Sequence, residues 1–388
     1  MACDTILSPS REERRVPVSK MHPINVFEYE QLARESLEPA NWDFFAGGSD
    51  DEITVRENCQ AFQRIKFLPR VLRDVRAVKM ETTVQGMGIS SPLLVAPTAY
   101  QCLAHPDGEC ATALAASKSK TVMVVSTFAT RSLEEIASSH QSGASPDGQV
   151  GSDGAVVPLW LQLYTYRDLG LTGTLVQRAE AAGYQAIVLT VDVPRLGRRE
   201  RDIRNAFKLP QTIRVANFDE ALVSSPSSKS TGYIPEPIVI TWDIIAWLRS
   251  ITSLPIILKG ILAPADALLA LEHGVNGIIV SNHGGRQLDS TITSIDALYP
   301  ITQAVAGRCE IYVDGGIRRG TDILKALALG ARAVLIGRPV IWGLAVNGAA
   351  GVQHVLELLS NELALAMALA GCPDLEAIDR SLLWHDER

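Results

Sequence analysis

Nine consecutive residues, Ser281-Asn282-His283-Gly284-Gly285-Arg286-Gln287-Leu288-Asp289, set a base and a fixed cation three positions apart. They follow the apolar run Gly277-Ile278-Ile279-Val280, so a buried strand ends by presenting His283 and then Arg286. The two glycines between them let the backbone turn sharply and approach a ligand closely. An imidazole can take a proton near neutral pH, and a guanidinium holds a carboxylate through two parallel hydrogen bonds. The pairing suits proton abstraction from an acid-bearing substrate. A lone His-x-x-Arg is more often a satisfied core histidine beside a surface arginine, so the reading needs support from other residues.

That support depends on the elements that carry these side chains. From residue 92 onward, short β-branched runs alternate with Ala- and Leu-rich stretches of helical period. Strands are predicted at 92–97, 121–126, 157–164, 186–192, 255–260, 277–283, 310–316 and 333–339. They are continuously apolar, as strands buried on both faces are. Helical patterns lie between them, among others at 169–182, 263–273 and 319–329. Eight β-then-α units over roughly 250 residues describe an α/β fold, the TIM (β/α)8 barrel. The alternative is a doubly wound sheet, which calls for a glycine-rich turn where Pro97-Thr98-Ala99 stands. Residues 24–62 read as two or three helices outside the barrel, an N-terminal helical extension. Residues 1–20 read as a flexible tail, 21–380 as the barrel domain and 381–388 as a C-terminal tail. Two stretches break the rhythm. Residues 139–156, rich in Ser, Gly and Asp, suggest a surface insertion, and 205–238 suggest a lid or loop excursion.

Catalytic groups of such barrels come from the C-terminal ends of the strands. Here the first strand ends in Pro97, Thr98 and Ala99, the second in Ser126, and the third in Gln162 and Tyr164. The fourth ends in Thr190 and Asp192, followed by Arg199, and the fifth in Lys259-Gly260. The sixth gives Ser281, His283 and Arg286, the seventh Asp314-Gly315-Gly316 and then Arg318, and the eighth Gly337-Arg338. Glycine turns after strands seven and eight, opening helices, are the usual phosphate site of this fold, to which Arg318 or Arg338 adds charge. Lys259 lies between that site and the acid–base pair, where a fixed cation stabilises negative charge on a cofactor ring. Asp192 closes an apolar run, and a buried carboxylate needs a partner. Singly, a Gly-Gly is a turn and Arg198-Arg199 a solvated surface; their convergence on one barrel face favours a site.

Composition excludes several other classes. The 388 residues are 47% hydrophobic with a net charge of −7, enough for a large core and without the basic field of a nucleic-acid binder. Six cysteines form no C-x-x-C pair, there is no metal-ligand spacing, and no serine sits in a G-x-S-x-G turn. No apolar stretch of signal-peptide or membrane-span length occurs, and the C-terminal Asp386-Glu387-Arg388 is no S-K-L address, so a cytoplasmic location is expected.

The segments SNHGGRQLD at 281–289, TVDVPRLGRRERD at 190–202, APTAYQCLAHPDGE at 96–109, QLYTY at 162–166, DGGIRRGTDI at 314–323 and IGRPV at 336–340 occur in one characteristic order. From about residue 24 to about 380 the chain resembles the FMN-dependent 2-hydroxy acid oxidase and dehydrogenase family, glycolate oxidase most of all. The resemblance implies an (S)-2-hydroxy acid oxidised to a 2-oxo acid, with FMN as cofactor. It assigns His283 as the base, Asp192 as the group that stabilises its protonated form, and Tyr164 as a hydrogen-bond partner near the substrate oxygen. Arg286 and Arg199 would bind the substrate carboxylate. Lys259 would face the flavin; Pro97, Thr98, Ala99, Ser126, Gln162, Thr190 and Ser281 would line its ring; Asp314, Gly315, Gly316, Arg318, Gly337 and Arg338 would hold the ribityl phosphate.

Two positions depart from the family pattern. Phe44 stands where a tyrosine is usual, and Phe128 where glycolate oxidase has tryptophan. Both make the pocket mouth less polar, so medium-chain, long-chain or aromatic hydroxy acids are expected over glycolate. O2 is the expected acceptor, giving H2O2, with a dehydrogenase using a quinone or other acceptor as the alternative; the likeness also implies a homotetramer. An FMN-barrel isomerase and a non-catalytic flavin binder are further alternatives. The binder has no need of His283, Asp192 and Arg286 together.

Overall fold

The computed structural model describes residues 22–143, 157–218 and 241–384. Eight parallel strands close into a barrel: β3 (Leu93–Val95), β4 (Met123–Val125), β5 (Leu159–Leu163), β6 (Ala186–Thr190), β7 (Ile256–Ile261), β8 (Gly277–Val280), β9 (Glu310–Asp314) and β10 (Ala333–Ile336), with β10 pairing back onto β3. The fold is the TIM barrel expected from the sequence. Most strands stop a few residues short of the predicted runs, because the residues after each strand turn into loops over the barrel mouth.

Strand side chains alternate between two faces. Leu94, Val124, Trp160, Val188, Ile257, Ile279, Tyr312 and Leu335, one from each strand, form a single buried cluster that fills the barrel. Their neighbours, such as Val95, Leu161, Leu258 and Ile278, are buried in the outer cluster against the helices. Both faces are therefore apolar, which is why no alternation shows in the sequence.

The N-terminal extension is three helices, α1 (Val26–Ser36), α2 (Pro39–Ala46) and α3 (Ile53–Arg64). An antiparallel hairpin, β1 (Thr82–Val84) and β2 (Met87–Ile89), was not expected from sequence. It turns at Gln85 and Gly86, both at positive φ, and it delivers Val84 and Ile89 into the barrel's inner cluster. Three-residue strands are too short for periodicity to register.

Two other boundaries differ from expectation. Residues 139–143 belong to the helix Leu133–Gly143, whose buried stripe runs on to His140, rather than to an insertion; 144–156 lie outside the described residues. Of the expected lid, residues 205–218 are described and 219–240 are not. Residues 381–384 are held down: Leu382 and Leu383 are buried, and Leu383 bridges to Phe67. The expected N-terminal tail lies outside the described residues. Among the described residues, no helix is long and apolar enough to cross a membrane.

Candidate active site

Strand parity places most of the predicted residues. Continuing each inner column two residues at a time leads from Leu94 to Thr98, from Val124 to Ser126 and Phe128, and from Trp160 to Gln162 and Tyr164. It leads likewise from Val188 to Thr190 and Asp192, from Ile257 to Lys259, from Ile279 to Ser281 and His283, and from Tyr312 to Asp314. The barrel's interior therefore changes from apolar to polar at its C-terminal mouth. Across adjacent strands the polar row is continuous. Thr127 N–H donates to Gln162 Oε1 (3.3 Å), and Gln162 Nε2 donates to Thr190 Oγ1 (3.0 Å).

At the centre, His283 Nδ1 lies 3.0 Å from Asp192 Oδ1. An ionised carboxylate only accepts, so Nδ1 carries the hydrogen and Nε2 keeps a free lone pair when the ring is neutral. Burial pushes His283 below the ordinary histidine value, which Asp192 opposes only in part. Burial also works against the charge on Asp192, but His283 and Lys259 more than offset it and hold the carboxyl below its usual range. The outcome is a neutral base beside an anion. His283 sits at φ 57°, a conformation rare for a non-glycine residue and one that concentrates at functional sites. Its N–H donates to Ser281 Oγ (3.0 Å), which also accepts from Lys259 Nζ (3.0 Å). Lys259 is 3% exposed and lies 3.3 Å from Asp314 Oδ2. Gly260 follows at φ 113°, and a Cβ there would lie 2.5 Å from that of Asp192. Only glycine lets the fifth strand end pass the fourth.

The loop 281–289 is anchored along its length. Asn282 and Asn58 of α3 exchange amide hydrogen bonds at 2.7 and 2.9 Å. Gln287 Nε2 donates to the carbonyls of Asp192 (2.9 Å) and Arg195 (2.8 Å), fastening this loop to the one that carries Asp192. Asp289 accepts from the N–H groups of Thr54 (2.8 Å) and Ile53 (3.2 Å), so it caps α3 from across the chain. Gly285, at φ 75°, would drive a Cβ to 2.7 Å from the Val55 main chain.

Two arginines face the same mouth. Arg286 Nη1 donates to the carbonyls of Phe44 (2.6 Å) and Gly47 (3.0 Å), which leaves Nε and Nη2 uncommitted among the described residues. Arg199 has a buried Nε with no partner among the described residues. Burial, then repulsion from Arg199 and Arg338, pushes Arg286 well below the ordinary arginine value, and burial also lowers Arg199. Half-buried like charges with spare donors form a site for an anion.

An aromatic wall completes the mouth. Phe44 stacks on Phe207 (centroids 4.9 Å apart) and lies 5.6 Å from Tyr100; Phe128 lies 5.4 Å from Tyr164. Tyr100 and Phe207 were not singled out from sequence. Tyr100 follows the first strand end by one residue, which was the available signal. Phe207 is the third residue of the irregular 205–238 stretch and carried none.

The glycine turns after the seventh and eighth strands lead into helices. Arg319 caps the helix Gly320–Ala328, and Gly337 caps Arg338–Ala370, so two helix N-termini open at the barrel mouth. Asp314 Oδ1 is buried without a donor among the described residues. Arg318 donates to the Ile317 carbonyl (3.0 Å) and reaches toward Glu30 (3.9 Å). The Arg338 guanidinium does not extend freely to a ligand. It donates to the carbonyls of Phe45 (3.0 Å), Gly284 (2.9 Å) and Gly47 (2.8 Å), and burial pushes it down to about 10. What it offers an anion is its charge and its N–H at the first helical position.

A family model described as FMN-dependent dehydrogenase matches residues 33–385. An L-lactate oxidase of Nostoc sp. is 51% identical over 368 residues, 93% of this chain and 98% of that protein. A glycolate oxidase of Spinacia oleracea is 47% identical over 374 residues, 94% of this chain and 97% of that one. Among solved structures, a mandelate oxidase with benzoyl-formic acid superposes with a TM-score of 0.83 at 44% identity, covering 93% of this chain and 98% of that one.

Proposed function

Since the chain belongs to the FMN-dependent dehydrogenase family, we propose that it oxidises (S)-2-hydroxy acids to 2-oxo acids and passes the electrons to O2, giving H2O2. The activity in its coarser form, FMN-dependent oxidation of 2-hydroxy acids, is common to the relatives named above. One observation carries the reading: two half-buried arginines with spare donors among the described residues stand at the same strand-end mouth as a neutral histidine paired with a carboxylate.

FMN is the cofactor, and the residues fit it. A buried lysine suits an electron-accepting ring, the unpartnered Asp314 Oδ1 suits the hydroxyls of a ribityl chain, and helix N-termini behind glycine turns suit a phosphate. Ser126, Gln162, Thr190, Ser281 and the 97–99 turn would line the ring; Gly315, Gly316, Arg318, Gly337 and Arg338 would hold the phosphate end. Bound FMN supplies the two-electron acceptor.

The remaining work falls to side chains. Arg286 and Arg199 hold the carboxylate and so fix which face of the substrate carbon meets the base. His283 Nε2 takes a proton from the substrate. Asp192 stabilises the imidazolium that results and keeps the ring oriented. Tyr164 hydrogen-bonds the substrate oxygen. The substrate gives up two electrons and two protons in all, which O2 takes up as H2O2.

The aromatic wall supports medium-chain, long-chain or aromatic substrates: Phe44 contributes a ring stacked on Phe207 and no hydroxyl. A panel of 2-hydroxy acids with peroxide detection tests this. A kcat/KM for glycolate above those for 2-hydroxyoctanoate and mandelate would overturn it, and substrate bleaching of the flavin with slow reoxidation in air would overturn O2 as acceptor. The reading extends to a cytoplasmic homotetramer.

A further inference from the structure

Tyr100 holds a conformation that its residue type disfavours. Its backbone is left-handed, φ 58° and ψ 44°, where a side chain crowds the following carbonyl. The surroundings impose it: Tyr100 N–H donates to the Phe128 carbonyl (3.1 Å), and the ring lies 5.6 Å from Phe44 and 6.3 Å from Phe128. The residue is 6% exposed, yet its hydroxyl bonds to no described residue and is not sealed from solvent. A phenol packed against two neighbouring rings, with its polar end open, is placed to meet a ligand.

The same wall explains which ligand atom it meets. Phe44 offers the site a ring with no hydrogen-bonding group, and its carbonyl accepts from Arg286. Arg199, with its unpartnered Nε, lies within electrostatic reach of the Tyr100 hydroxyl. Burial raises Tyr100 above the ordinary tyrosine value and Arg199 opposes this only in part, so the hydroxyl keeps its proton and donates.

We propose that the Tyr100 hydroxyl is the neutral hydrogen-bond donor to the substrate carboxylate, beside the cations Arg199 and Arg286. The inference rests on the hydroxy-acid reading above. It makes carboxylate recognition at this mouth a three-residue device: two cations supply attraction, and one fixed phenol sets the angle.

The test is benzoylformate titrated into the FMN-loaded protein, followed by the flavin absorbance change, for wild type and Tyr100→Phe. Loss of one neutral hydrogen bond weakens binding about 5–10-fold. KM for a hydroxy acid rises by the same factor, kcat changes little, and melting temperature and flavin content are unchanged. Adding Phe44→Tyr to the Tyr100→Phe variant returns a hydroxyl to the neighbouring ring and restores affinity. Unchanged benzoylformate affinity in Tyr100→Phe, or loss that appears only with a lowered melting temperature, overturns the role. If the wild-type holoprotein neither binds benzoylformate nor bleaches with any 2-hydroxy acid, the functional reading fails first and takes this inference with it.

Discussion

Replacing Asp192 by Asn removes one charge and leaves the shape of the pair intact. Asparagine's Oδ1 still accepts from His283 Nδ1, so the tautomer that frees Nε2 is retained. What is lost is the attraction between carboxylate and imidazolium, which exists only once His283 has taken its proton. With N and O 3.0 Å apart in the structure, charge centres about 4 Å apart interact by about 4 kcal/mol at an effective dielectric of about 20. The two side chains are 19% and 13% exposed, so solvent screens part of this. About 3 kcal/mol is left, which is on the order of a 10²-fold fall in the rate of substrate oxidation. The assay is anaerobic stopped-flow loss of flavin absorbance as a function of pH. The base must be neutral to act, so wild-type activity falls on the acid side, through a value below the ordinary histidine pKa of about 6.5 because burial depresses His283. Asp192 opposes that depression, so Asp192→Asn moves the acid limb lower still. The loss at neutral pH is therefore one of transition-state stabilisation, since the ground-state base is already neutral. A fall of less than about 3-fold, or an acid limb that moves upward, would refute the reasoning.

Other substitutions probe other links. His283→Ala removes the general base and should slow flavin reduction by about 10²–10⁴-fold while FMN stays bound, as read by the visible spectrum of the purified protein; normal turnover would remove His283 from the mechanism. Gly260→Ala places a Cβ 2.5 Å from that of Asp192 at φ 113°; a stability loss of about 2–4 kcal/mol by thermal melting is expected, with activity lost as well. Asp289→Ala leaves two N–H groups of α3 without their cap and should cost about 1 kcal/mol in denaturant unfolding, with full recovery of flavin binding once folded.

Several parts of this molecule follow from its own residue order. Eight apolar runs separated by helical stretches state a parallel barrel, because parity and helical period are set by geometry between near neighbours. The same parity, carried past each strand's end, puts His283, Asp192, Lys259, Gln162 and Asp314 in one inward-facing layer. No distant information is needed for that.

Other features depend on residues that meet only after folding. Asp289 caps a helix 235 residues earlier in the chain. The Arg338 guanidinium, expected to add charge at a phosphate, is taken up by carbonyls of the N-terminal extension and of the signature loop. Gly260 is glycine because of Asp192, and the unusual backbone at Tyr100 is held by Phe128 and Phe44. Local composition determined which residues could do chemistry and which end of the barrel they occupy. Tertiary packing decided which of their hydrogen-bonding atoms are already used and which remain free for a ligand, because that depends on loops whose positions no short-range period encodes.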